Sequence, residues 1–323
     1  MPTKAIPVQD PLVTRLRVLG QQTPELGQAA EIYARILPLL RDADLHPTPI
    51  ALSPEQALAK LQAGRALLDG EDLSLDFEAA GELMRQLACV LENMNETVRA
   101  GHFPLSWVRK PAVTAEADRA AATRPVAARQ IRVALEQGAI RPELLLPNVA
   151  AGDREYAASL TAAHALDAGL VWILAQNALK PALRAWQEQL APLAKPISWQ
   201  KSTCWCCGSV ATCAELQGNE QSQHVRCGQC GADWPVSRLR CVECGNDDPS
   251  TSSYLYPEGR REKYRIQVCD RCGSYLKIIS SFEPMPLEMV TVEDLATLHL
   301  DYVAREHGYS RTPSRGKPSE GKA

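Results

Sequence analysis

The sequence predicts an all-helical amino-terminal domain, followed by two small metal-bound β modules and a carboxy-terminal helix. Three observations lead to this α plus small β class. The first 195 residues are rich in alanine and leucine and contain repeated helix-start signals. Ten of the eleven cysteines lie between residues 204 and 272, separated by short β-prone runs. One more amphipathic segment follows them, before a polar tail.

Eight of these cysteines form four C-x-x-C pairs, and a glycine directly follows the second cysteine of each pair. Two thiolates at this spacing can reach one ion, and the glycine permits the tight turn that directs backbone N–H groups at the sulfur atoms. Four such half-sites predict two tetrahedral four-sulfur metal sites. The predicted ligands are Cys204, Cys207, Cys227, Cys230, Cys241, Cys244, Cys269 and Cys272.

The lengths of the connecting loops favour pairing of neighbouring half-sites. Nineteen residues separate Cys207 from Cys227, and twenty-four separate Cys244 from Cys269. Each length fits a zinc-ribbon or rubredoxin-like unit, in which two hairpin-borne cysteine pairs face one another. The alternative is an interleaved arrangement, in which the first and third cysteine pairs share one ion.

The remaining thiols of this region are expected to stay outside the coordination. Cys206 and Cys213 are interpreted as bystanders, although Cys206 lies between two ligands and could compete for the ion. His224 is interpreted as a surface residue or a neighbour of the site. Disulfides are disfavoured because the chain opens MPTKAIPVQD, without the apolar segment of a secretory signal. Four thiolates suit zinc and iron alike.

Caps and prolines predict the boundaries of the first helices. Thr23-Pro24 opens one helix, and residues 53–56 (SPEQ) form a capping box before another. A longer helix is predicted from about residue 75 to 100, ending at Gly101, and residues 101–111 are predicted to form a loop.

The second half of the helical region is punctuated by further prolines. A helical segment over residues 115–138 is predicted to be interrupted near Pro125. Residues 153–190 form the most apolar segment, whose hydrophobic residues cover too much of the circumference for a surface helix. We expect Pro181 and Pro192 to break it.

Short β-prone runs at residues 254–256, 265–268 and 275–279 predict hairpins around the cysteine pairs. Residues 291–294 (TVED) are interpreted as a capping box before a last helix, which ends at Gly308. The predicted divisions are a helical domain over residues 1–195, a first rubredoxin-like module over 196–238, a second module with the carboxy-terminal helix over 239–309, and a disordered tail over 310–323.

Composition is that of an ordinary globular protein. Of the 323 residues, 45% are hydrophobic and 23% are charged, with a formal net charge of −3 and a pI of about 6.1. No apolar run approaches the length of a membrane span, and no export or lipidation motif is present. Many cysteines without an export signal predict a reducing, cytoplasmic location.

Zinc ribbons often bind nucleic acid, but the net charge of the cysteine-rich region argues against that role here. Residues 195–283 contain eleven Lys/Arg and ten Asp/Glu, a net of +1, so no strong field for phosphate is expected. A local cluster is interpreted as a solvated hairpin tip. It comprises Arg260, Arg261, Lys263 and Arg265.

No catalytic constellation is evident in the sequence. His46, His102 and His164 are isolated, without metal-ligand or triad spacing, and are interpreted as structural. Four thiolates on each ion leave no open coordination position for catalysis. A ribbon of about forty residues buries too little apolar surface to hold itself together, so we expect metal to stabilise the fold.

Several runs around the cysteine pairs carry a family resemblance. They are Trp234, residues 238–241 (RLRC), 269–277 (CDRCGSYLK), 293–301 (EDLATLHLD) and 306–311 (EHGYSR). With the four cysteine pairs, these runs resemble the FdhE family, and residues 179–183 (LKPAL) add a looser likeness in the helical part. The resemblance is most specific over residues 204–311.

The resemblance implies a cytoplasmic accessory protein for the maturation of formate dehydrogenase. Such proteins carry rubredoxin-like metal sites that hold iron and act on the catalytic subunit of exported respiratory formate dehydrogenases, without being dehydrogenases themselves. The eight paired cysteines correspond to the metal positions of the family. Trp205 and Cys206 depart from it, because the family usually has proline early in the first pair. Two alternatives are a rubredoxin-like electron carrier and a zinc-ribbon protein that binds nucleic acid.

Overall fold

The computed structural model describes residues 10–94, 112–195, 197–256 and 263–311, with the backbone alone over 112–123. The chain divides into two compact units. One unit comprises Met1–His46 and Leu75–Ala182, and the other comprises Pro47–Ser74 and Leu183–Ala323. The predicted fold class is confirmed, because helices precede a sheet that is followed by further helices. The predicted divisions at residues 195, 238 and 309 stay predictions.

Eight α-helices precede the sheet in the described chain. They are α1 Pro11–Gln22, α2 Gly27–Asp42, α3 Pro54–Gln62, α4 Phe77–Glu92, α5 Ala112–Glu136, α6 Pro142–Ala150, α7 Arg154–Ala163 and α8 Ala168–Ala194. The predicted Thr23-Pro24 signal opens a 3-10 turn, Pro24–Leu26, which leads directly into α2. Within the described residues, none of the helices combines the length and the apolarity that crossing a membrane requires.

Two of the predicted helix starts are confirmed, and each has a side-chain cap. At α3, the Gln56 backbone N–H donates to the Ser53 hydroxyl and the Gln56 side chain accepts from the Ser53 N–H, which completes the predicted capping box. At α4, the Asp76 carboxylate accepts from the Ala79 N–H at 2.9 Å. Helix α4 ends at Glu92, earlier than predicted. Residues 95–111, with the predicted loop and His102, lie outside the described residues.

Prolines interrupt fewer helices than the sequence suggests. The predicted break near Pro125 is wrong, because α5 continues through this residue. The predicted breaks at Pro181 and Pro192 are also wrong, because α8 continues to Ala194. An interior proline costs a helix about 3 kcal/mol. The buried side chains beside Pro181, such as Leu179 and Leu183, offset that cost in α8.

Six strands form one sheet in the described part of the second unit. They are β1 Cys213–Gln217, β2 Ser222–Arg226, β3 Asp233–Pro235, β4 Ser252–Leu255, β5 Tyr264–Cys269 and β6 Ser274–Ser281, in the spatial order β3-β2-β1-β6-β5-β4. Strands β1 and β6 are parallel, and the other neighbouring pairs are antiparallel. The three β-prone runs fall on β4, β5 and β6, as predicted. Because β1 lies between the first two cysteine pairs and β6 follows the fourth, one sheet joins both cysteine regions.

Two short helices follow the sheet, α9 Leu287–Ala296 and α10 Leu298–Glu306. The predicted capping box at residues 291–294 is wrong, because α9 begins four residues earlier and Glu293 lies inside it. Glu293 is 2% exposed and accepts a hydrogen bond of 2.7 Å from the Tyr264 hydroxyl. The Glu293 carboxylate therefore binds Tyr264 on β5 and does not cap the start of a helix. The chain leaves α10 through Gly308, with φ +87°, at the predicted position.

The core of the second unit lies between one face of the sheet and these two helices. Its buried members are Cys213, Tyr264, Ile266, Val268, Tyr275 and Ile279 from the strands, and Val290, Leu300 and Ala304 from α9 and α10. Residues on alternate positions of β5 and β6 supply this face, as the two-residue period of a strand requires. The second cysteine pair directly follows β2 and the fourth pair lies between β5 and β6, whereas the first and third pairs lie in the segments that precede β1 and β4.

Candidate metal centres

All four C-x-x-C segments adopt the same hydrogen-bonded turn. In each, the glycine N–H donates to the carbonyl oxygen of the first cysteine, at 2.8 to 3.0 Å. Gly208, Gly231, Gly245 and Gly273 have φ values of +74°, +83°, +72° and +69°. This left-handed region is open to glycine at no steric cost, which explains why a glycine follows every pair.

The turns bring the cysteines together as two groups of four. Within each group the sulfur atoms all lie within 4.8 Å of one another. The interleaved arrangement does not occur among the described residues, and the pairing of neighbouring half-sites is the one that the loop lengths favour. The first group is Cys204, Cys207, Cys227 and Cys230, and the second group is Cys241, Cys244, Cys269 and Cys272.

The sulfur spacing fits a tetrahedral ion and not a disulfide. In the first group, the Cys204–Cys230 sulfur distance is 3.5 Å. In the second group, the Cys241–Cys272 distance is 3.8 Å. Four thiolates placed about 2.3 Å from a central ion lie about 3.8 Å apart, whereas a disulfide requires about 2.05 Å. All eleven cysteines are unpaired thiols. The donor set thus fits a metal ion such as zinc or iron.

Backbone and hydroxyl groups surround the sulfur atoms. The Cys206 N–H donates to Cys204 Sγ at 3.3 Å, the contact expected of this turn. In the second group, Ser274 Oγ lies 3.4 Å from Cys241 Sγ and 3.1 Å from Cys272 Sγ. Burial raises the pKa of the Cys241 thiol, but hydrogen bonds from Ser274 and from backbone N–H groups outweigh it and hold the pKa below its usual value. This favours the thiolate, the form that binds metal.

The first cysteine pair is held by the segment that precedes α4. The Leu67 N–H donates to the Trp205 carbonyl at 2.8 Å, and the Leu68 N–H donates to the Cys206 carbonyl at 3.0 Å. Both carbonyls belong to residues between the ligands Cys204 and Cys207. Residues 47–74 thus join the cysteine-bearing unit, although they lie far from it in sequence.

A buried charge network holds the second group. Lys277 follows the fourth pair, and its fully buried ammonium lies 2.6 Å from an Asp294 oxygen and 2.9 Å from an Asp301 oxygen. Arg311 contacts both carboxylates at 2.9 Å. The Tyr275 hydroxyl donates to Asp301 at 2.7 Å. Burial opposes ionisation of Asp294, yet Lys277 and Arg311 outweigh it and lower the pKa of this carboxyl.

Sequence reasoning missed this network as a functional feature. The signal was present, because Lys277 interrupts an apolar strand and the two aspartates are seven residues apart in the segment that the sequence predicts as a single last helix. A charge on a buried strand requires a paired partner, and a seven-residue spacing places two carboxylates on one side of a helical segment.

The other singled-out residues lie outside the two groups. Cys213 is buried in the core, where burial raises its pKa to about 12, so it remains a thiol. Cys206 is buried beside the first group and is not among the four. His224 Nδ1 lies 2.5 Å from an Asp233 oxygen across β2 and β3. Arg260 and Arg261 lie outside the described residues.

Comparison with known proteins places the second cysteine group in a family domain. Residues 239–315 match the model of the FdhE C-terminal domain. Over 115 residues the chain is 30% identical to a protein FdhE homolog of Edwardsiella ictaluri, covering 35% of this chain and 36% of that one. It is 33% identical over 114 residues to a homolog of Aquifex aeolicus, covering 34% and 40%. The alignments thus span well under half of the length of these relatives.

The fold is shared with a solved structure over nearly its whole length. The crystal structure of the FdhE protein from Pseudomonas aeruginosa matches with a TM-score of 0.54 and 22% sequence identity. The match covers 94% of this chain and 92% of that one. It shows that the fold recurs in that protein.

Proposed function

We propose that this chain, which all three comparisons support as an FdhE-family protein, is an accessory protein for the maturation of respiratory formate dehydrogenase. It acts in the cytoplasm, binds the catalytic subunit of that enzyme and carries two metal ions, iron by family resemblance or zinc. The match of residues 239–315 to the FdhE C-terminal domain carries the proposal. That segment includes the second four-cysteine group and the charge network around it.

The geometry supports a scaffold for protein binding in preference to an enzyme. Each group offers four thiolates, so a bound ion has no open position for a substrate. A metal ion bound there cross-links two hairpin turns. The turns are fixed by their own glycines, by residues 66–68 at the first group and by Arg311 at the second. The result is a rigid surface on which another polypeptide can dock.

A rubredoxin-like electron carrier is the second candidate. The exposure of Cys244 supports it, because a ligand close to solvent lets electrons reach the ion. A thiolate-to-iron absorption band that dithionite bleaches reversibly would support this role. A colourless protein that contains zinc alone would contradict it.

Deletion of the gene in a host with a respiratory formate dehydrogenase tests the proposed role. We expect formate-dependent dye reduction to be lost while the catalytic subunit remains detectable by immunoblot. Co-purification of that subunit with the tagged, full-length chain tests the binding step. Undiminished enzyme activity in the deletion strain would contradict the accessory role.

Complementation of the deletion strain tests the metal sites. Cys241→Ala or Cys269→Ala should fail to restore activity and should lose the second ion, because three thiolates hold an ion less well than four. Cys89→Ala is the matched control, since Cys89 is an exposed thiol outside both groups. Full metal content in either ligand variant would contradict the ligand assignment.

A further inference from the structure

The two four-cysteine groups differ in how far solvent reaches their sulfur ligands. In the first group, Cys204, Cys227 and Cys230 are each 0% exposed, and Cys207 is half-buried. In the second group, Cys244 is exposed and Cys272 is half-buried. A ligand that leaves an ion must be replaced by an incoming donor, so an exposed ligand is where exchange begins.

The first group is also enclosed by segments from elsewhere in the unit. Residues 66–68 hold its first turn through the hydrogen bonds to Trp205 and Cys206. Its second turn packs against α9, because a Cβ added at Gly231 would lie 3.3 Å from Leu287. Movement of either turn would therefore break contacts outside the turn itself.

The third cysteine pair, which carries Cys244, is held by side-chain contacts, one of them local and two of them from distant residues. Arg240 Nε donates to the Gly245 carbonyl at 3.1 Å, and Arg271 donates to Asn246 at 3.1 Å. Ser202 donates to Glu243 from the first cysteine region. The Arg240 contact is exposed and the other two are partly buried. All three are made by side chains, whereas backbone hydrogen bonds from Leu67 and Leu68 hold the first turn.

A cleft beside the third pair gives a second direction of approach. It is lined by Cys241 and Cys269 of the second group and by Val242, together with Ser202 and Val210 from the first cysteine region. A donor group can thus reach the second group from the solvent at Cys244 and through this cleft.

We propose that the second four-cysteine group is an exchange site and that the first is a permanent structural site. Cys244 is the ligand that leaves. As an incoming thiolate takes its place, the Cys244 sulfur departs with its electron pair and takes up a proton from solvent. One metal–sulfur bond forms as another breaks, and the oxidation state of the metal and of the sulfur atoms is unchanged. The inference rests on the metal occupancy contained in the proposed function.

The release of metal from the purified, full-length, metal-loaded protein tests this inference. A chromogenic chelator in excess should remove the two ions in two phases of equal amplitude, with rates that differ by about tenfold or more. Mass spectrometry after iodoacetamide treatment, taken between the phases, should find alkylation at Cys244 and its three partners. A single phase, or alkylation of the first group before the second, would overturn the proposal.

Two matched variants assign the phases. Cys244→Ser should accelerate the fast phase and leave the slow phase unchanged. Cys207→Ser, at the equivalent position of the first group, should accelerate only the slow phase. Acceleration of the slow phase by Cys244→Ser, or of the fast phase by Cys207→Ser, would overturn the proposal. If a variant fails to fold, the two release phases and the alkylation pattern of the wild-type protein decide the question. Release rates are measured without formate dehydrogenase, so their outcome is independent of the deletion experiment.

Discussion

Lys277 shows how single charged residues determine this fold. Its side chain is fully buried on β6, where it meets Asp294 and Asp301. A buried ammonium is tolerated only when its partners satisfy it, and here two carboxylates and the Asp294 carbonyl do so. The two aspartates in turn depend on Lys277 and Arg311 for their charge balance.

Replacing Lys277 with methionine should therefore destabilise the protein. The change leaves the buried Asp301 carboxylate and the half-buried Asp294 carboxylate with Arg311 as their remaining cation, and breaking a buried pair costs about 3 kcal/mol. Urea unfolding of the metal-loaded protein measures the effect. Lys195→Met is the control, because Lys195 is exposed. Equal stability of the two variants would contradict the role assigned to Lys277.

The His224–Asp233 pair predicts a pH dependence. The hydrogen bond to Asp233 raises the pKa of His224. Burial acts against ionisation of Asp233, but the His224 hydrogen bond helps to outweigh it and lowers the pKa of Asp233. The histidine contribution is complete below its unfolded pKa of about 6.5 and is lost as pH rises through the raised value. The aspartate contribution is complete above about 3.9 and is lost as pH falls through the lowered value.

The pair should therefore stabilise the protein most between about pH 4 and pH 6.5, by on the order of 1 kcal/mol. Comparing the unfolding free energy of wild type and His224→Gln across pH isolates this contribution, because both proteins share all other titrating groups. The difference should shrink above neutral pH. A difference that grows from pH 6 to pH 9 would contradict the pairing.

At the scale of elements, the sequence predicts what local interactions decide. The four glycine-containing cysteine turns and the Ser53 capping box depend on residues within a few positions of one another. Each is formed as predicted. The breaks expected at Pro125 and Pro181 do not occur. At Pro181, burial of the neighbouring Leu179 and Leu183 outweighs the local penalty of the proline. The start of α9 was misplaced because Tyr264 engages Glu293 from another element.

Residues 309–311, which we call the latch, hold the fourth cysteine turn in place. The Ser310 N–H donates to the Gly273 carbonyl at 2.9 Å, and the Tyr275 N–H donates to the Ser310 carbonyl at 3.2 Å. The Tyr309 hydroxyl donates to Asp270 at 2.5 Å. Residues 309–311 thus hold the turn that carries Cys269 and Cys272, with Arg311 anchored in the charge network.

Truncation after Tyr309 should therefore weaken the second site. It removes Ser310 and Arg311 with their contacts, so we expect chelator release from the second group to become faster by about tenfold. Truncation after Arg311 is the matched control, because it leaves every described contact of the latch in place. Identical release rates in the two truncated proteins would show that the latch does not stabilise the site.

Contacts between residues that are distant in the sequence determine how the second unit is built. The parallel pairing of β1 with β6, through Ala214–Ile278 and its neighbours, unites the two cysteine regions in one sheet. The attachment of residues 47–74 to the first group brings a helical segment into the same unit. The sequence predicts how the eight cysteines group, since the grouping depends on spacing, and their role as metal ligands stays a prediction. It does not carry these two connections, because no local pattern specifies which distant backbone groups will meet.

We infer that two ions, each bound by four cysteine sulfurs, hold the carboxy-terminal unit in its shape. Native mass spectrometry combined with X-ray absorption at the metal edge tests it most directly. We expect two ions for each chain, each with a shell of four sulfur atoms at about 2.3 Å. Fewer than two ions, oxygen or nitrogen in the shell, or disulfides among the eight cysteines would contradict it.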